Sequence, residues 1–241
     1  VIAAGVLPDG ALSLICGNGS DLLDALGPFD HLAFTGSADT ALMLRNNANV
    51  LMKAPRLNIE ADSVNATILG PDAKPGDAVF DLLVREAVKA LSVKAGQLCT
   101  NIRRILVPAE QLADVSDAIA AKISGLTVGD PGNESVRMGP LINKVQQQAA
   151  FDGLAKLSAE TSVVAGGGVP EALDGGDAQS GAFVAPTLLA CHDPKAARAV
   201  HETEVFGPAA TIMPYEGTDG GASLAACGGG SLAVSVFTND A

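Results

Sequence analysis

His31-Leu32-Ala33-Phe34-Thr35-Gly36-Ser37, running into Ala38 to Arg45, decides the fold class. The first four residues have the apolar, β-favouring character of a strand. Gly36 and Ser37 are turn chemistry, and the stretch that follows reads as a helix. Strand, turn and helix in that order make half of a βαβ unit. The pattern repeats outward. Upstream, Leu12 to Ile15 is strand-like and Asp21 to Leu26 helical. Downstream, Val50-Leu51-Met52, Leu57 to Glu60 and Ala66 to Leu69 read as short strands. A helix over Asp77 to Ser92 carries apolar residues at 79, 80, 83, 84, 87, 88 and 91, a one-face spacing. Beyond it the sequence predicts a strand at 104–107, helices at 110–124 and Lys144 to Leu157, a surface loop at 166–181, and strands over Phe183 to Leu189 and Ala210 to Pro214. The expectation is an α/β fold with a largely parallel sheet and a lobe boundary near residues 60–65.

Composition narrows the function. Hydrophobic residues make up 48% of the 241 and charged ones 17%, so the chain can bury a substantial core. With 3% aromatics and no Trp, that core is built from Ala, Val, Leu and Ile. The net charge of −12 argues against nucleic acid and anionic membrane as partners. A small anionic ligand remains open, since it needs only a local group of N–H donors. Cys16, Cys99, Cys191 and Cys227 form no CxxC pair, and His31, His192 and His201 form no metal-binding pattern. Reduced thiols, a cytoplasmic location and no metal site are therefore expected. No apolar run reaches membrane-spanning length, and the expectation is that no signal peptide precedes the first strand. The chain lacks an initiating Met, Val1 to Gly5 reads as the last turn of a helix, and Leu232 to Thr238 reads as a buried strand. Truncation at both ends is the expectation.

Cys99 lies in Gly96-Gln97-Leu98-Cys99-Thr100-Asn101, between the long helix and the strand at 104–107. A buried structural thiol is the plainer reading. A thiol at a helix-to-strand turn can instead reach solvent and act as a nucleophile, with its own N–H facing an oxyanion. Glu60 ends a strand-like run, where a carboxylate faces the crevice at the ends of sheet strands and can serve as general base. A solvated turn acid is the alternative there. Gly36 and Ser37 could hold a phosphate at a helix start, or Ser37 could be an ordinary N-cap. In Glu202-Thr203-Glu204-Val205-Phe206-Gly207-Pro208, Glu204 could accept hydrogen bonds from a ribose and Phe206 could pack on a planar ring, or Phe206 could simply anchor a surface loop.

Taken in order, Phe34-Thr35-Gly36-Ser37, Asn58-Ile59-Glu60, Gly96-Gln97-Leu98-Cys99, Met138-Gly139-Pro140-Leu141-Ile142, Phe183 to Leu188 and Glu204 to Pro208 resemble motifs of the aldehyde dehydrogenase superfamily. The resemblance implies a Rossmann-type cofactor domain whose C-terminal part is residues 1–62, and an α/β catalytic domain, incomplete at its C-terminus, over residues 63–241. It implies NAD or NADP as cofactor, Cys99 as nucleophile and Glu60 as base. Gly36 and Ser37 would lie near the pyrophosphate, and Glu204 and Phe206 near the nicotinamide ribose and ring. It also implies a small-molecule aldehyde substrate and a homo-oligomer when intact. The family's cofactor Lys, its oxyanion Asn and its oligomerisation strand would lie outside Val1 to Ala241.

One departure from the family pattern is informative. Most members follow the Glu with Leu-Gly-Gly-Lys, whereas here Ala61-Asp62-Ser63-Val64-Asn65 follows, and Glu60 and Cys99 are further apart than is usual. With Cys99-Thr100 and Arg103-Arg104, this resembles the branch that oxidises CoA-thioester semialdehydes in aerobic aromatic-acid breakdown. A CoA-acylating dehydrogenase and a non-catalytic protein on the same scaffold are the competing readings. A water-activating Glu60 speaks against the first, and Cys99 with Glu60 together against the second.

Overall fold

The computed structural model describes residues 4–17, 19–217 and 219–240. The expected helix end over Val1 to Gly5 lies outside the described residues at 1–3. The chain divides into two compact units, Val1–Asp62 and Ser63–Ala241.

In the first unit, strands β1 (His31–Gly36) and β2 (Arg56–Ala61) pair in parallel, joined through helices α1 (Ala38–Arg45) and α2 (Ala48–Lys53). A 3-10 turn covers Ser20–Ala25. Leu23, Leu44 and Val50 form the small core, with Leu26, Leu32 and Phe34 against it. Asn49 Nδ2 donates to Leu23 O and Leu26 O, tying the 3-10 turn to α2.

Two expected strands are absent. Leu12 to Ile15 is irregular and exposed, Leu14 to 85%. A strand exists only where an edge offers hydrogen bonds, and no described residue pairs with this run. Val50-Leu51-Met52 is helical instead. Three apolar residues cannot distinguish a period of two from one of 3.6. The cap decides: Asn47 Oδ1 accepts from the N–H groups of Asn49 and Val50, and Ala54 stops the helix in the left-handed region.

The second unit runs β3 (Ala66–Leu69), α3 (Ala78–Ser92), β4 (Arg104–Pro108), α4 (Leu112–Ser124), α5 (Lys144–Leu157), β5 (Ser162–Ala165), β6 (Thr187–Ala190), α6 (Ala199–Glu202), β7 (Ala209–Tyr215), α7 (Gly220–Ala226) and β8 (Val234–Phe237). Its six-stranded sheet has the order β5-β6-β7-β4-β3-β8, parallel except where β5 meets β6. Successive side chains of a strand face opposite ways. Ile105 and Val107 of β4, Leu188 of β6 and Ile212 of β7 therefore join the apolar faces of α3 and α4. Leu106, Leu189 and Met213 join Ala150 and Leu157 of α5 and Leu224 of α7. Covered on both faces, β4 is buried throughout its length.

The strand expected over Phe183 to Leu189 forms only from Thr187 onward. Leu232 to Thr238 does contain a strand, but a buried one was expected and β8 is an exposed edge. Among the described residues it pairs with β3 alone, and Val234 and Val236 are 52% and 61% exposed. No described helix is long and apolar enough to cross a membrane.

Candidate active site

The first unit brings Gly36, Ser37 and Glu60 to one end of its strand pair. Thr35 stands opposite Glu60 and Gly36 opposite Ala61, at the carboxyl ends of both strands, where parallel sheets place ligands. All three residues are exposed, so Glu60 keeps its carboxylate in solvent rather than in an apolar pocket. Ser37 is the N-cap of α1: its Oγ accepts from Thr40 N at 3.2 Å and donates to Thr40 Oγ1 at 2.9 Å. Asp62 Oδ1 accepts from Ala38 N at 3.1 Å. The ordinary capping role of Ser37 is thus realised, and Asp39 N–H is the first-turn donor without a partner among the described residues.

The second unit brings Cys99, Glu204 and Phe206 together around Arg103, to which the sequence motifs assign no role. Helix α3 ends at Ser92, and Lys94, Ala95 and Gly96 follow with φ of 51°, 51° and 73°. Left-handed backbone costs about 1–2 kcal/mol per residue for anything but glycine, so surrounding contacts must hold this run in place. At Gly96 only glycine fits, because a Cβ there would overlap the Gly207 carbonyl oxygen. The chain then turns at Leu98 to Asn101, closed by Asn101 N–H to Leu98 O, with Cys99 exposed at its tip.

Side chains, those of Asn65 and Asn101 buried among them, grip this turn from several directions. Asn65 Nδ2 donates to Cys99 O at 2.8 Å and to Asn101 O at 2.9 Å. Asn101 Nδ2 donates to Ala90 O and Gly96 O. Gln97 Oε1 accepts from Ile142 N at 2.9 Å, which joins the Met138 to Ile142 run to the turn. Leu141 N donates to Ala182 O, and Gln147 Nε2 to Phe183 O, so the run starting at Phe183 belongs to the same scaffold. Cys99 N–H has no hydrogen-bond partner among the described residues.

Arg103 connects the turn to the loop carrying Glu204. Its Nη1 donates to Gly207 O at 2.8 Å and its Nη2 to Gly96 O at 3.0 Å and Leu98 O at 3.3 Å. Its Nε lies 3.5 Å from the Glu204 carboxylate, with both side chains nearly buried. Burial pushes the Arg103 guanidinium below its usual range, and Glu204 opposes that. The other Glu204 oxygen accepts from Ser63 N at 3.0 Å. Phe206 is 38% exposed, its ring 5.7 Å from the guanidinium carbon. Arg104 is buried beside it: Nε donates to Val64 O, Nη1 to Leu224 O and Nη2 to Ala225 O. Its Nη1 also meets His201 Nδ1 at 3.0 Å, which places the imidazole proton on Nε2, donating to Pro194 O. The sequence signal for both arginines was there, two cations leading into an apolar strand. Only the folded partners show what they hold.

The cysteines differ in the way nucleophilicity requires. Cys191 is buried and burial raises its thiol above the usual range, whereas Cys99 is open to solvent on a turn of fixed geometry.

Comparison with known proteins follows the same lines. A family model described as "Aldehyde dehydrogenase family" matches residues 1–241. The 3,4-dehydroadipyl-CoA semialdehyde dehydrogenase of Aromatoleum evansii is 52% identical over the whole chain, which covers 47% of that protein. Among solved structures, an apo betaine aldehyde dehydrogenase variant of Staphylococcus aureus superposes with a TM-score of 0.85 at 27% identity, over 99% of this chain and 46% of that one. An aldehyde dehydrogenase of Mycobacterium tuberculosis complexed with NAD+ gives a TM-score of 0.76 at 29% identity, over 91% of this chain and 42% of its own. The chain spans about half the length of the curated relatives it matches.

Proposed function

The chain belongs to the aldehyde dehydrogenase family, and we propose that the full protein oxidises an aldehyde to a carboxylic acid through a thioester on Cys99, with NAD+ or NADP+ as oxidant. The observation that carries this reading is the Cys99 turn: an exposed thiol whose N–H has no partner among the described residues, held by buried side chains. The substrate class we propose is a CoA-thioester semialdehyde, on the strength of the 52% identity to a dehydrogenase of that kind. Residues 1–62 then belong to the cofactor domain and 63–241 to the catalytic domain. A cytosolic setting suits three exposed free thiols, and a homo-oligomer is the proposed assembly of the whole protein.

The residues present suit a dinucleotide. In the first unit, the Asp39 N–H, without a partner among the described residues, is a donor for a phosphate at the start of α1. In the second, the open face of Phe206 suits a planar ring, and the Glu204 carboxylate beside it suits ribose hydroxyls. When bound, NAD(P)+ supplies the hydride acceptor. The Cys99 thiolate attacks the aldehyde carbon, forming a C–S bond while the carbonyl π electrons move to oxygen. The Cys99 N–H donates to that oxyanion. Loss of hydride leaves the acyl group on sulfur as a thioester. Glu60 takes a proton from water, the hydroxide adds to the thioester, and the acid leaves as the thiolate is regenerated.

Two variants of the full-length protein test this. Cys99→Ala is expected to abolish turnover. Glu60→Gln is expected to keep a stoichiometric burst of NAD(P)H while steady turnover falls about 10²–10⁴-fold, the range of a lost general base. Turnover retained without the thiol would refute the covalent route, and normal deacylation without the carboxylate would remove Glu60 from it. Product analysis with and without added CoA separates hydrolysis from acyl transfer to CoA.

A further inference from the structure

Leu98 O and Cys99 N belong to the same peptide unit. That unit is planar, with its C=O and N–H pointing in opposite directions, so whatever fixes the oxygen also aims the N–H. Arg103 Nη2 donates to that oxygen at 3.3 Å. Asn65 Nδ2 holds the next peptide through Cys99 O at 2.8 Å. Both peptide planes flanking Cys99 are therefore gripped by buried side chains, and one of the two is cationic. A positive charge on the carbonyl oxygen polarises the peptide and strengthens its N–H as a donor. The same guanidinium reaches Gly96 O, Gly207 O and the Glu204 carboxylate, so its own plane is fixed from four sides.

We propose that Arg103 is a positioning residue for the covalent step: by holding Leu98 O, it aims the Cys99 N–H at the oxygen of the tetrahedral adduct and keeps the nucleophile turn in register with the Glu204 loop. The proposal rests on the reading of Cys99 as the nucleophile. It explains why a guanidinium and not an amine stands here. Three carbonyls and a carboxylate around one group demand a planar fork of donors, and an ammonium is a compact point charge on a flexible stem. It also explains why the pair is buried despite the desolvation it costs. Glu204 compensates the charge of Arg103, while three of its other N–H groups donate to backbone oxygens of the two loops.

The test uses two reactions of the same thiol in the full-length protein. Aldehyde oxidation passes through an oxyanion. Alkylation by iodoacetamide displaces iodide and develops none. In Arg103→Lys, kcat is expected to fall about 10²-fold, the size of a lost or misaimed oxyanion donor, while the alkylation rate is little changed. An unchanged kcat, or equal losses in both reactions, would overturn the proposal. If Arg103→Lys fails to fold, Glu204→Gln is compared with Arg103→Met/Glu204→Gln, a pair that buries no uncompensated carboxylate. The double variant is expected to have a kcat about 10²-fold lower than Glu204→Gln alone, and equal values would overturn the proposal. Cys99→Ala separates the two claims. If it still turns over, the nucleophile reading fails. If it is inactive while Arg103→Lys matches the unsubstituted enzyme, only the positioning role fails.

Discussion

The second unit covers six strands with helices on both faces and fills the ends of its sheet with buried polar groups, whereas the first pairs two strands over a three-residue core. The first leaves Leu14, Phe29 and Met52 between 79% and 95% exposed. Both carry candidate site residues, yet on different kinds of support. Cys99 sits on a turn whose carbonyls are claimed by Arg103, Asn65 and Asn101. Glu60, Gly36 and Ser37 sit at the end of a two-stranded pair packed with α1 and α2 on a three-residue core. Strained backbone survives only where its surroundings over-determine it. The left-handed run Lys94 to Gly96 lies where that condition is met.

The largest effect should come from breaking that support at its tightest point. Gly96→Ala adds a methyl group against the Gly207 carbonyl, where neither backbone can give way cheaply, at a φ of 73°. We expect a loss of more than about 4 kcal/mol, seen as an insoluble protein or a collapsed denaturation midpoint. A stable, soluble Gly96→Ala would mean that the turn has slack, and the contrast between the units would weaken.

Much of this was legible in the sequence. The alternation around Phe34-Thr35-Gly36-Ser37 predicts β1 and α1, and the one-face spacing from Val79 to Leu91 predicts α3. What escaped has common physical causes. The run at 12–15 has the composition of a strand, but pairing depends on a neighbour that composition does not reveal. The run at 50–52 was too short for periodicity, and Asn47 made it helical. β8 has the apolar content of a core strand, yet its place in the sheet order leaves it at an edge. Cys99, Glu60, Glu204 and Phe206 could be singled out because their motifs are local in sequence. Arg103 could not be given its role that way. Its partners at 96, 98, 204 and 207 are separated along the chain, and only folding makes them neighbours.

A smaller effect should sharpen the contrast from the other side. Asn47 caps α2 in the first unit, and Asn47→Ala leaves the N–H groups of Asn49 and Val50 without their acceptor. The expected cost is about 1 kcal/mol. With so small a core beneath it, that loss should appear as faster amide hydrogen exchange across α2, while exchange in β4 and β7 stays unchanged. Faster exchange in β4 as well would show that the two units share one cooperative transition.

The smallest effect belongs to the rim of the second unit. Glu160 lies just before β5 and accepts from Arg198 N at 2.9 Å and Val200 N at 3.1 Å, anchoring the start of α6. Partial burial alone would raise its pKa, but those N–H groups and the His201 field outweigh it and hold the carboxyl below its ordinary 4.5. A group whose folded pKa is depressed stabilises the fold above its unfolded value and loses that contribution as pH falls through the folded value. Glu160→Gln should therefore lower stability slightly at neutral pH, by less than about 1 kcal/mol for so exposed a site. The difference from the unsubstituted chain should close as pH drops below 4.5. Denaturant midpoints for both proteins, measured from pH 7 down, check the sign. A difference that widens on acidification would place the stabilising interaction elsewhere than in the ionised carboxylate.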